Sequence, residues 1–497
     1  MLKTRTPVIF LILQLLASIL LPYAMIASDM IPMLYIVIAV FVETVLLIVS
    51  AMLSFMDVRG KKKKTVIFRR IIAAILSVIM LSVSIFSYLF MGKLGDTINN
   101  ISSKGVSTTT VGVYVRAYDH ADEIGDTKNY LFGYSESFDK ANTRDALEDI
   151  QKQLGKKPDS IEYDDIMKMV QGLYNGDNDA IILSESYAAI VADQDPEFNT
   201  NTKLIYEYKV VNQLKPVIKK SNGDLSKFVF YLSGSDTRNQ MLDVSRSDVN
   251  ILMVVNTKTK EILLVNTPRD YYVPISISAS GKCDKLTHCG IYGIECSMDT
   301  LADLYDCDVD YYAQINFTGF ATLIDAIGGV TVDSDVAFVN SHDNPLMDGT
   351  SMTVNKGPNN FNGAQALAFA RERMNVPGGD NDRGKNQMRV IEAVVDKMSA
   401  GTILSNYSDI LDSLEGMFIT NMSSEDINKL VKMQLSDMAS WNIHRYAVSG
   451  TPGSSTTYSM PGTNAYVTYP DQNTVDQAAK LISKVLKGKT IDDSDVQ

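Results

Sequence analysis

Residues 228–270 read FVFYLSGSDTRNQMLDVSRSDVNILMVVNTKTKEILLVNTPRD. This stretch contains three apolar runs that are predicted strands, Phe228–Leu232, Asp248–Val255 and Glu261–Val265. Near-continuous apolar strands are typical of sheets that are covered on both faces. Charged residues border each run, so the stretch predicts a buried sheet whose strand ends carry arginine and aspartate.

The chain downstream continues this α/β pattern. A fourth predicted strand, Tyr311–Asn316, precedes three predicted helices at Thr318–Ile327, Gly363–Arg373 and Gly384–Ser399. We therefore expect one α/β domain over residues 223–488, which the last hundred residues complete, and a frayed tail at residues 489–497.

A smaller α/β domain is expected upstream, over residues 109–222, because strand and helix patterns also alternate there. The predicted elements are strands Thr110–Ala117 and Ala180–Leu183 and helices Thr143–Leu154, Ile161–Tyr174 and Ser184–Ala192. Its acidic residues are scattered as on a solvated face, and no catalytic grouping is visible, so we treat it as an accessory domain.

Residues 1–91 contain three apolar runs, Val8–Ser28, Pro32–Phe55 and Thr65–Met91. Each has the roughly 20 residues that a helix needs to cross a bilayer. A signal peptide is the alternative for the first run, but its apolar part is too long and two more spans follow. We expect a three-helix transmembrane anchor, then a Gly-, Ser-, Thr- and Asn-rich linker at residues 92–108.

The charges orient this anchor. Residues 1–91 have a net charge of +6, and the basic loop at 57–64 belongs in the cytoplasm by the positive-inside rule. Three spans then place residues 92–497 outside the cell. Glu43 lies within the second span, where a charge is either functional or satisfied by a neighbouring helix.

Residues 92–497 have a net charge of −18, which together with the +6 of residues 1–91 gives the total of −12. Nucleic-acid binding needs a basic face, so an acidic body argues against nucleic acid as a partner. The same acidity makes a local cluster of arginines more informative.

All four cysteines lie within 25 residues, at Cys283, Cys289, Cys296 and Cys307. Outside the cell, an even number of cysteines allows one or two disulfides with three pairings if all four bond. A zinc site is the alternative, but the spacing lacks a C-x-x-C pair and fits it poorly.

Six arginines fall at strand ends and helix starts, where ligands of α/β sheets bind. Guanidinium groups match phosphate oxygens in bidentate fashion, and a helix N-terminus adds a second anion site. The alternative is that they merely pair with nearby acids such as Asp243, Asp270 and Glu372. The six are Arg238, Arg246, Arg269, Arg371, Arg373 and Arg383.

Two acids among them, Asp236 and Asp248, are suited to Mg²⁺, which takes one or two carboxylates together with substrate phosphates. Asp380 is a candidate helix cap or catalytic base, and Gln387 shares a helix face with Arg383. Arginines and a metal are the usual electrostatic means of stabilising a transferring phosphoryl group.

Other chemistries have no support in the sequence. The four histidines lie outside any nucleophile elbow, and Gly-x-Ser-x-Gly is absent. There is also no phosphate-binding loop of the nucleotide-binding type.

At these residues the chain resembles the LytR–CpsA–Psr family of cell-wall glycopolymer transferases. The resemblance covers Phe228–Met398, and its three-span anchor with an accessory segment is similar to the capsule-type branch. The ordered motifs are Gly234–Arg238, Arg246–Asp248, Thr267–Asp270, Lys285–His288, Tyr311-Tyr312, Asn316-Phe317, Asp325–Val330, Asn362–Leu367, Arg371–Arg373 and Gly379 through Arg383 to Gln387.

The resemblance implies an α/β/α sandwich with an apolar groove for a lipid tail, at the outer face of a bacterial plasma membrane. It implies transfer of a teichoic acid, capsule or related polymer from a polyprenyl pyrophosphate to peptidoglycan through a phosphodiester. By the resemblance, Arg269, Arg371, Arg373 and Arg383 hold the pyrophosphate with Arg246 close by, and Gln387 supports the head group. The resemblance also implies that Asp236 and Asp248 serve Mg²⁺ and that Asp380 is a candidate base.

Four positions depart from the family pattern. Asn386 stands where many relatives carry arginine, and Asn266 and Thr267 stand where Ser-Ile is common. Cys289 replaces a common small residue, and Lys285 is a candidate additional phosphate contact.

Two other functions fit parts of the pattern. A hydrolase would cleave the lipid pyrophosphate with water at the same site. A wall-sensing regulator would bind without catalysis, although the cytoplasmic loop is too short to hold a signalling domain.

Overall fold

The computed structural model describes residues 2–55, 63–103, 106–213, 224–235, 244–398 and 417–496. They form two compact units. The anchor unit comprises Met1–Ser102, Lys397–Asp412 and Met422–Ser440, and the main unit comprises Ser103–Asp396, Ser413–Asn421 and Trp441–Gln497.

The anchor unit contains three helices that are long and apolar enough to cross a membrane, as the sequence predicted. They are α1 (Leu2–Ala27), α2 (Met33–Phe55) and α3 (Lys63–Ser103). Polar side chains join them internally. Ser77 donates to the side chain of Gln14 at 2.9 Å, and Ser18 donates to Glu43 at 3.0 Å. Glu43 is therefore paired with a neighbouring helix, and such interhelical hydrogen bonds stabilise transmembrane bundles.

The linker expected at residues 92–108 is wrong for most of its length. Helix α3 continues to Ser103, and strand β1 begins at Val106. Leu94 and Ile98 are spaced i, i+4 and pack with Met30, so apolar burial outweighs the poor helix propensity of the Gly and Asn residues here.

The anchor unit also includes a helix from far downstream, α12 (Ser424–Asp437), which we had assigned to the catalytic domain. Ile427 and Val431 pack on the cluster around Leu94 and Ile98. Lys432 forms an ion pair with Asp29 at 2.8 Å. Residues 422–440 of the predicted domain at residues 223–488 therefore belong to the anchor unit, because their tertiary contacts are made there.

The main unit begins with the predicted accessory domain, a sheet of order β3-β2-β4-β1-β5. The segment Ile161–Tyr174, expected as one helix, instead starts within a strand and turns into a helix that Asp165 caps. Its elements are β1 (Val106–Arg116), β2 (Leu131–Tyr134), α4 (Glu136–Leu154), β3 (Asp159–Glu162), α5 (Ile166–Asn175), β4 (Ala180–Ser184), α6 (Glu185–Gln194), α7 (Phe198–Asn201) and β5 (Thr202–Gln213).

The second sheet of the main unit has six strands in the order β16-β11-β6-β7-β8-β17. The three central strands form an antiparallel meander, whereas β11 and β17 pair in parallel with β6 and β8. The strands are β6 (Lys227–Ser235), β7 (Ser247–Asn256), β8 (Glu261–Asn266), β11 (Tyr311–Asn316), β16 (Phe418–Thr420) and β17 (Asn442–Ala447).

Helices cover both faces of this sheet, which gives the expected α/β/α sandwich. Alternate strand residues such as Tyr231 and Leu252 pack against α8 (Ile294–Tyr305) and α13 (Gln472–Leu486). The opposite face, with Leu232 and Met253, is overlaid by α9 (Phe317–Ala326), α10 (Gly363–Arg371) and α11 (Asp380–Lys397).

Four short two-stranded sheets complete the main unit. They are β9 (Tyr272–Pro274) with β10 (Cys283–Lys285), β12 (Val330–Ser334) with β15 (Gly357–Phe361), β13 (Phe338–Val339) with β14 (Thr353–Val354), and β18 (Gly450–Thr456) with β19 (Asn464–Pro470).

The four cysteines are free thiols in this structure, so the disulfides that the sequence allows are not formed here. Cys289 and Cys296 are buried, and their side chains share a hydrogen bond. Both belong to the core cluster between the sheet and α8, where they pack as small apolar residues.

We predict that residues 105–497, produced without the anchor helices, will self-associate. The truncation removes Leu94 and Ile98 and exposes the apolar face of α12, and exposed apolar patches drive association. Light scattering after size exclusion should show species above the monomer mass. The double substitution Ile427→Ser and Val431→Ser in the same truncation should restore the monomer, whereas Val211→Ser, at an exposed position on β5, should not. A monomeric truncation with α12 unchanged would contradict this account.

Candidate functional site

The antiparallel meander explains why the charged motifs meet. Ser235 at the end of β6 lies opposite Ser247 at the start of β7, and Asn266 at the end of β8 lies opposite Ile251. Asn316 at the end of β11 lies beside Ser235. The chain leaves β6, β8 and β11 and enters β7 at the same edge of the sheet, so their flanking residues converge there.

A cavity of about 470 Å³ lies between the sheet and helices α9, α10 and α11. We call it the apolar cavity, because most of its lining is aliphatic or aromatic. The apolar residues are Leu232, Val249, Met253, Ala313, Ile315, Phe317, Phe320, Leu323, Leu367, Ala370, Met374, Ile391, Val394, Val395 and Phe418. Its polar lining includes most of the predicted site residues, namely Asp248, Arg269, Arg371, Arg373, Arg383 and Gln387.

Arg269 follows β8 and is largely buried, with two acidic partners. Its Nη1 donates to Asp248 at 2.9 Å, and its Nε lies 3.5 Å from a carboxylate oxygen of Asp270. Burial alone would lower the pKa of Arg269, but Asp248 and Asp270 outweigh it and raise the pKa. Among the described residues, Nε has no hydrogen-bond partner of good geometry, so this donor is available to an anion.

The pKa of Asp248 shifts in the opposite direction to that of Arg269. Burial would raise the pKa of its carboxyl, but Arg269, then Arg383 and Arg246, outweigh that effect and lower the pKa to about 2. Asp248 is therefore a carboxylate at neutral pH. Within the described part of the chain, only its Oδ1 accepts a hydrogen bond, which leaves Oδ2 open toward a ligand.

Helix α10 ends at Arg371, which lets Arg371 and Arg373 both line the apolar cavity although they are two residues apart. Arg371 lies over the ring of Phe317, 4.5 Å from its centre. Arg373 is exposed, and it forms no ion pair with any residue that the structure describes. Its guanidinium is the least restrained of the cluster.

Glu372, which we had considered as a surface ion-pair partner, is fully buried and holds the arginine loop instead. One oxygen accepts the backbone N–H groups of Arg373, Met374 and Asn375 at 2.9–3.1 Å. The other accepts from the backbone of Ser341 at 2.7 Å and the side chain of Asn344 at 3.2 Å. Sequence reasoning missed this role, because the only local signal is a Glu between two arginines.

Helix α11 begins at Asp380 and carries two further cavity residues. Arg383 forms an ion pair with Asp380 at 2.7 Å and is buried, and its pKa is lowered chiefly by burial. Gln387 follows one turn later and also lines the apolar cavity. A Cβ at Gly384 would clash with Asn266, so Asn266 packs directly against α11. Asn266 is one of the positions that differ from the family pattern.

The departing residue Asn386 is buried on α11 and accepts a hydrogen bond from Arg389 at 3.1 Å. It does not line either cavity of the site. Thr267, the other departure, shares a buried hydrogen bond of 2.8 Å with the Tyr305 hydroxyl. Both residues act in packing here.

A second cavity of about 400 Å³ adjoins the first, and we call it the polar cavity. Arg269, Arg373 and Met374 line both cavities and so form their common border. The remaining residues of the polar cavity are Asp193, Asp270, Lys285, Gly379, Asp380 and Tyr466. The candidate base Asp380 and the candidate phosphate contact Lys285 thus face the polar cavity, where Lys285 pairs with Asp270 at 3.1 Å.

One described residue of the predicted site, Arg246, is not among the residues that line either cavity. Arg246 is buried and pairs with Asp193 of α6, in the accessory domain. Its positive charge contributes to the site by helping to lower the pKa of Asp248. Asp236 and Arg238 lie outside the described residues.

A Ser/His/Asp grouping is present but unsuited to nucleophilic catalysis. Asp284, His288 and Ser459 are buried, and the Asp and Ser side chains both contact Nδ1 of the imidazole, at 2.7 and 2.8 Å. A catalytic relay needs the two partners on opposite ring nitrogens. The grouping fixes the chain next to Lys285.

Metal ligation rests on few groups. Among the residues that the structure describes, no three His, Cys, Asp or Glu side chains are arranged to hold a metal ion. Mg²⁺ needs only one or two protein carboxylates when substrate phosphates complete its shell, and the ionised, half-open Asp248 fits that requirement.

We predict that Glu372→Gln will lower the free energy of unfolding by about 3 kcal/mol. The amide NH₂ would face backbone N–H groups that now donate to a carboxylate, and buried donors left unpaired cost about 1–3 kcal/mol each. Denaturant titration of the full chain would measure this. Glu295→Gln, at an exposed carboxylate in α8, should change stability by less than about 0.5 kcal/mol. Equal effects of both substitutions would contradict the role of Glu372.

We also predict a pH signature for Asp248. Its folded pKa lies below the unfolded value, so its stabilisation is fully present above about pH 4 and is lost as the pH falls through about 2. In metal-free buffer, wild type should lose about 2 kcal/mol more than Asp248→Asn over this interval. Asp164→Asn, at an exposed carboxylate, should retain the wild-type profile. Parallel profiles for wild type and Asp248→Asn would refute the low pKa.

The chain is similar in sequence to known proteins. A teichoic acid transferase of Enterococcus faecalis, named polyisoprenyl-teichoic acid–peptidoglycan teichoic acid transferase TagU, is 33% identical over 217 residues, which cover 43% of this chain and 68% of that protein. The protein of the same name from Bacillus licheniformis is 34% identical over 201 residues, covering 40% and 61%.

Two solved structures are also similar. TagV of B. subtilis has 22% identity and a TM-score of 0.44, over 54% of this chain and 99% of that one. Protein gbs0355 of Streptococcus agalactiae has 28% identity and a TM-score of 0.45, over 55% and 93%. The profile of the LytR_cpsA_psr family matches residues 196–483, more than half of the chain. The match includes every described residue that lines the two cavities except Asp193, and the chain belongs to the LytR–CpsA–Psr family.

Proposed function

We propose that this protein transfers a phosphorylated glycopolymer from a polyprenyl-pyrophosphate carrier to peptidoglycan and forms a phosphodiester. The observation that carries the proposal is the border of Arg269 and Arg373 between an apolar and a polar cavity. A lipid pyrophosphate has this same division, with an apolar tail, an anionic centre and a sugar. The relatives named above are teichoic acid transferases, which supports a polymer of that class. A capsule polymer is the alternative donor.

The apolar cavity suits the lipid. Its lining between the sheet and α11 offers aliphatic and aromatic side chains, such as Leu232, Phe320 and Val394, to a polyprenyl chain. Burying apolar surface is the main favourable term for such a ligand. The rest of the polyprenyl chain would stay in the membrane that the three helices span.

The arginines suit the pyrophosphate. Arg371, Arg373 and Arg383 line the apolar cavity together with Arg269. Guanidinium groups bind phosphate oxygens in bidentate fashion, and in a site that excludes water they stabilise the charge of the transition state. The positive end of α11, which starts at Asp380, adds to the attraction.

In the proposed reaction, an acceptor hydroxyl oxygen attacks the phosphorus that bears the glycan. The bond from that phosphorus to the bridging oxygen breaks, and polyprenyl phosphate leaves with the electron pair. Asp380 receives the hydroxyl proton, because it is the motif carboxylate that lines the polar cavity beside Arg383. The glycan phosphate is then a diester of the acceptor sugar.

Mg²⁺ is a further part of the proposal. Asp248 would hold the ion through its open carboxylate oxygen, together with Asp236 and the phosphates of the substrate. The ion would neutralise charge on the phosphate oxygens. Arg269 would keep Asp248 ionised and correctly oriented for this purpose.

The proposed location is the outer face of a bacterial plasma membrane. Lys61–Lys64 and their basic neighbours favour the cytoplasm for the loop between α2 and α3. An odd number of spans then puts the main unit outside the cell, where peptidoglycan is.

A transfer assay tests the function. The full chain in lipid nanodiscs would receive a polyprenyl-pyrophosphate-linked glycan, peptidoglycan strands and Mg²⁺, with the phosphodiester product read by mass spectrometry. Release of phosphorylated glycan without acceptor product would instead indicate a hydrolase. Absence of donor binding would refute the proposed role of the arginine cluster.

We predict that Arg373→Ala will lower the transfer rate about 100-fold, the usual loss for one transition-state donor. Because Arg373 is exposed and forms no ion pair among the described residues, the melting temperature of the Arg373→Ala variant should stay near that of wild type.

Arg269→Ala should abolish transfer and also lower stability, because Asp248 and Asp270 lose their partner. Arg144→Ala, in a surface ion pair with Glu136, is the control and should retain activity. Full activity of Arg373→Ala would refute its contact with the pyrophosphate.

A further inference from the structure

The polar cavity has a balanced set of charges. Its lining contains three carboxylates and three cationic groups, and each carboxylate is paired with a base. Asp270 pairs with Arg269 and Lys285, Asp380 with Arg383, and Asp193 with Arg246. A site for a bare anion would be basic throughout. This one offers both acceptors and donors, which suits the hydroxyl and amide groups of a sugar.

Tyr466 adds an exposed aromatic face to this polar lining. It lies on β19, and 56% of its surface is accessible. Its hairpin is fixed to the site, since the backbone N–H of Thr468 donates to the carbonyl of Asp270 at 2.7 Å. An aromatic ring that borders a polar cavity can pack on the apolar face of a pyranose while its hydroxyl meets water.

Asp193 brings the accessory domain into the cavity. It is the penultimate residue of α6, and 38% of its side chain is accessible. The domain is docked firmly at this point. The backbone N–H of Val244 donates to Thr108 at 2.8 Å, and Met460 packs in the accessory core beside Tyr187. The position of Asp193 is therefore set by the fold and not by a flexible connection.

The two cavities share one border, and this has a chemical consequence. In a phosphoryl transfer, the attacking and leaving oxygens lie roughly in line on opposite sides of the phosphorus. With the lipid phosphate leaving on the side of the apolar cavity, the attacking hydroxyl must approach from the opposite side of the arginine border. Beyond Arg269 and Arg373, that side is the polar cavity.

We infer that the polar cavity is the acceptor site, which binds a sugar of the wall glycan through Tyr466 and through Asp193 of the accessory domain. This inference rests on the proposed transfer function and names the place of its second substrate. Tyr466 packs on the sugar ring, and the accessible oxygen of Asp193 accepts a hydroxyl. Asp380 in the same cavity lies where it can take the proton of the attacking hydroxyl. The accessory domain then selects the acceptor.

The test separates acceptor binding from donor binding. The full chain in nanodiscs would be assayed with a polyprenyl-pyrophosphate-linked disaccharide as donor and uncross-linked peptidoglycan strands as acceptor. The kinetic readout is KM for the strands, and a separate titration gives Kd for the donor. Tyr466→Ala and Asp193→Asn should each raise the acceptor KM about tenfold, with the donor Kd changed by less than about twofold.

Matched controls are available in the same elements. Tyr469 lies on the same strand as Tyr466, but its ring packs against Tyr272, with the ring centres 5.7 Å apart, and does not line the cavity. The first control is therefore Tyr469→Ala. The second is Asp164→Asn, which removes an exposed carboxylate of the accessory domain. Both should keep the wild-type acceptor KM. Tyr466→Phe retains the ring and should stay within about threefold of wild type, which separates ring packing from loss of fold.

Two results would overturn the inference while leaving the transferase intact. One is an unchanged acceptor KM in both Tyr466→Ala and Asp193→Asn. The other is a donor Kd that rises with the acceptor KM constant, which would assign the polar cavity to the donor glycan. If wild type neither binds the donor nor forms the diester, the proposed function itself fails.

Discussion

Arg269 carries a positive charge at the border of an apolar cavity, and its contact with Asp248 makes that position stable. A buried guanidinium without a partner costs several kcal/mol, and the same holds for the carboxylate. Each group therefore requires the other, and both depend on the pairing of β7 with β8 that brings the start of one strand to the end of the next. A slip of one residue in this register would turn Asp248 to the opposite face of the sheet and separate the pair.

The arginines divide into restrained and free groups, and the division follows from their partners. Arg269 and Arg383 are buried against aspartates, so their orientation is set before any ligand arrives. Arg373 is exposed, yet its backbone is fixed by the buried carboxylate of Glu372. Among the described residues, the site therefore combines preorganised charge with an exposed donor, Arg373. Preorganisation lowers the cost of binding, and an exposed donor is accessible to the phosphate oxygens of a ligand.

The sequence was sufficient to predict the strands, the convergence of charge and the three apolar spans. Long apolar runs and strand-end arginines are local signals. The features that it did not predict depend on contacts between distant residues. Glu372 looks like a surface acid, and Asp193 looks like any solvated residue of the accessory domain. Whether an amphipathic helix such as α12 covers one unit or another is set by its partner, which periodicity does not reveal.

The position of α12 also affects how the protein is attached to the cell. The chain passes from the anchor unit to the main unit near residue 102, returns near residue 397, and returns again at residues 422–440. A protease that cut once near residue 104 would leave α12 packed against Leu94 and Ile98, with Lys432 still paired to Asp29. Release of the main unit from the anchor helices would therefore also need α12 to separate from Leu94 and Ile98. The main unit is therefore linked to the three apolar helices by more than a single covalent connection.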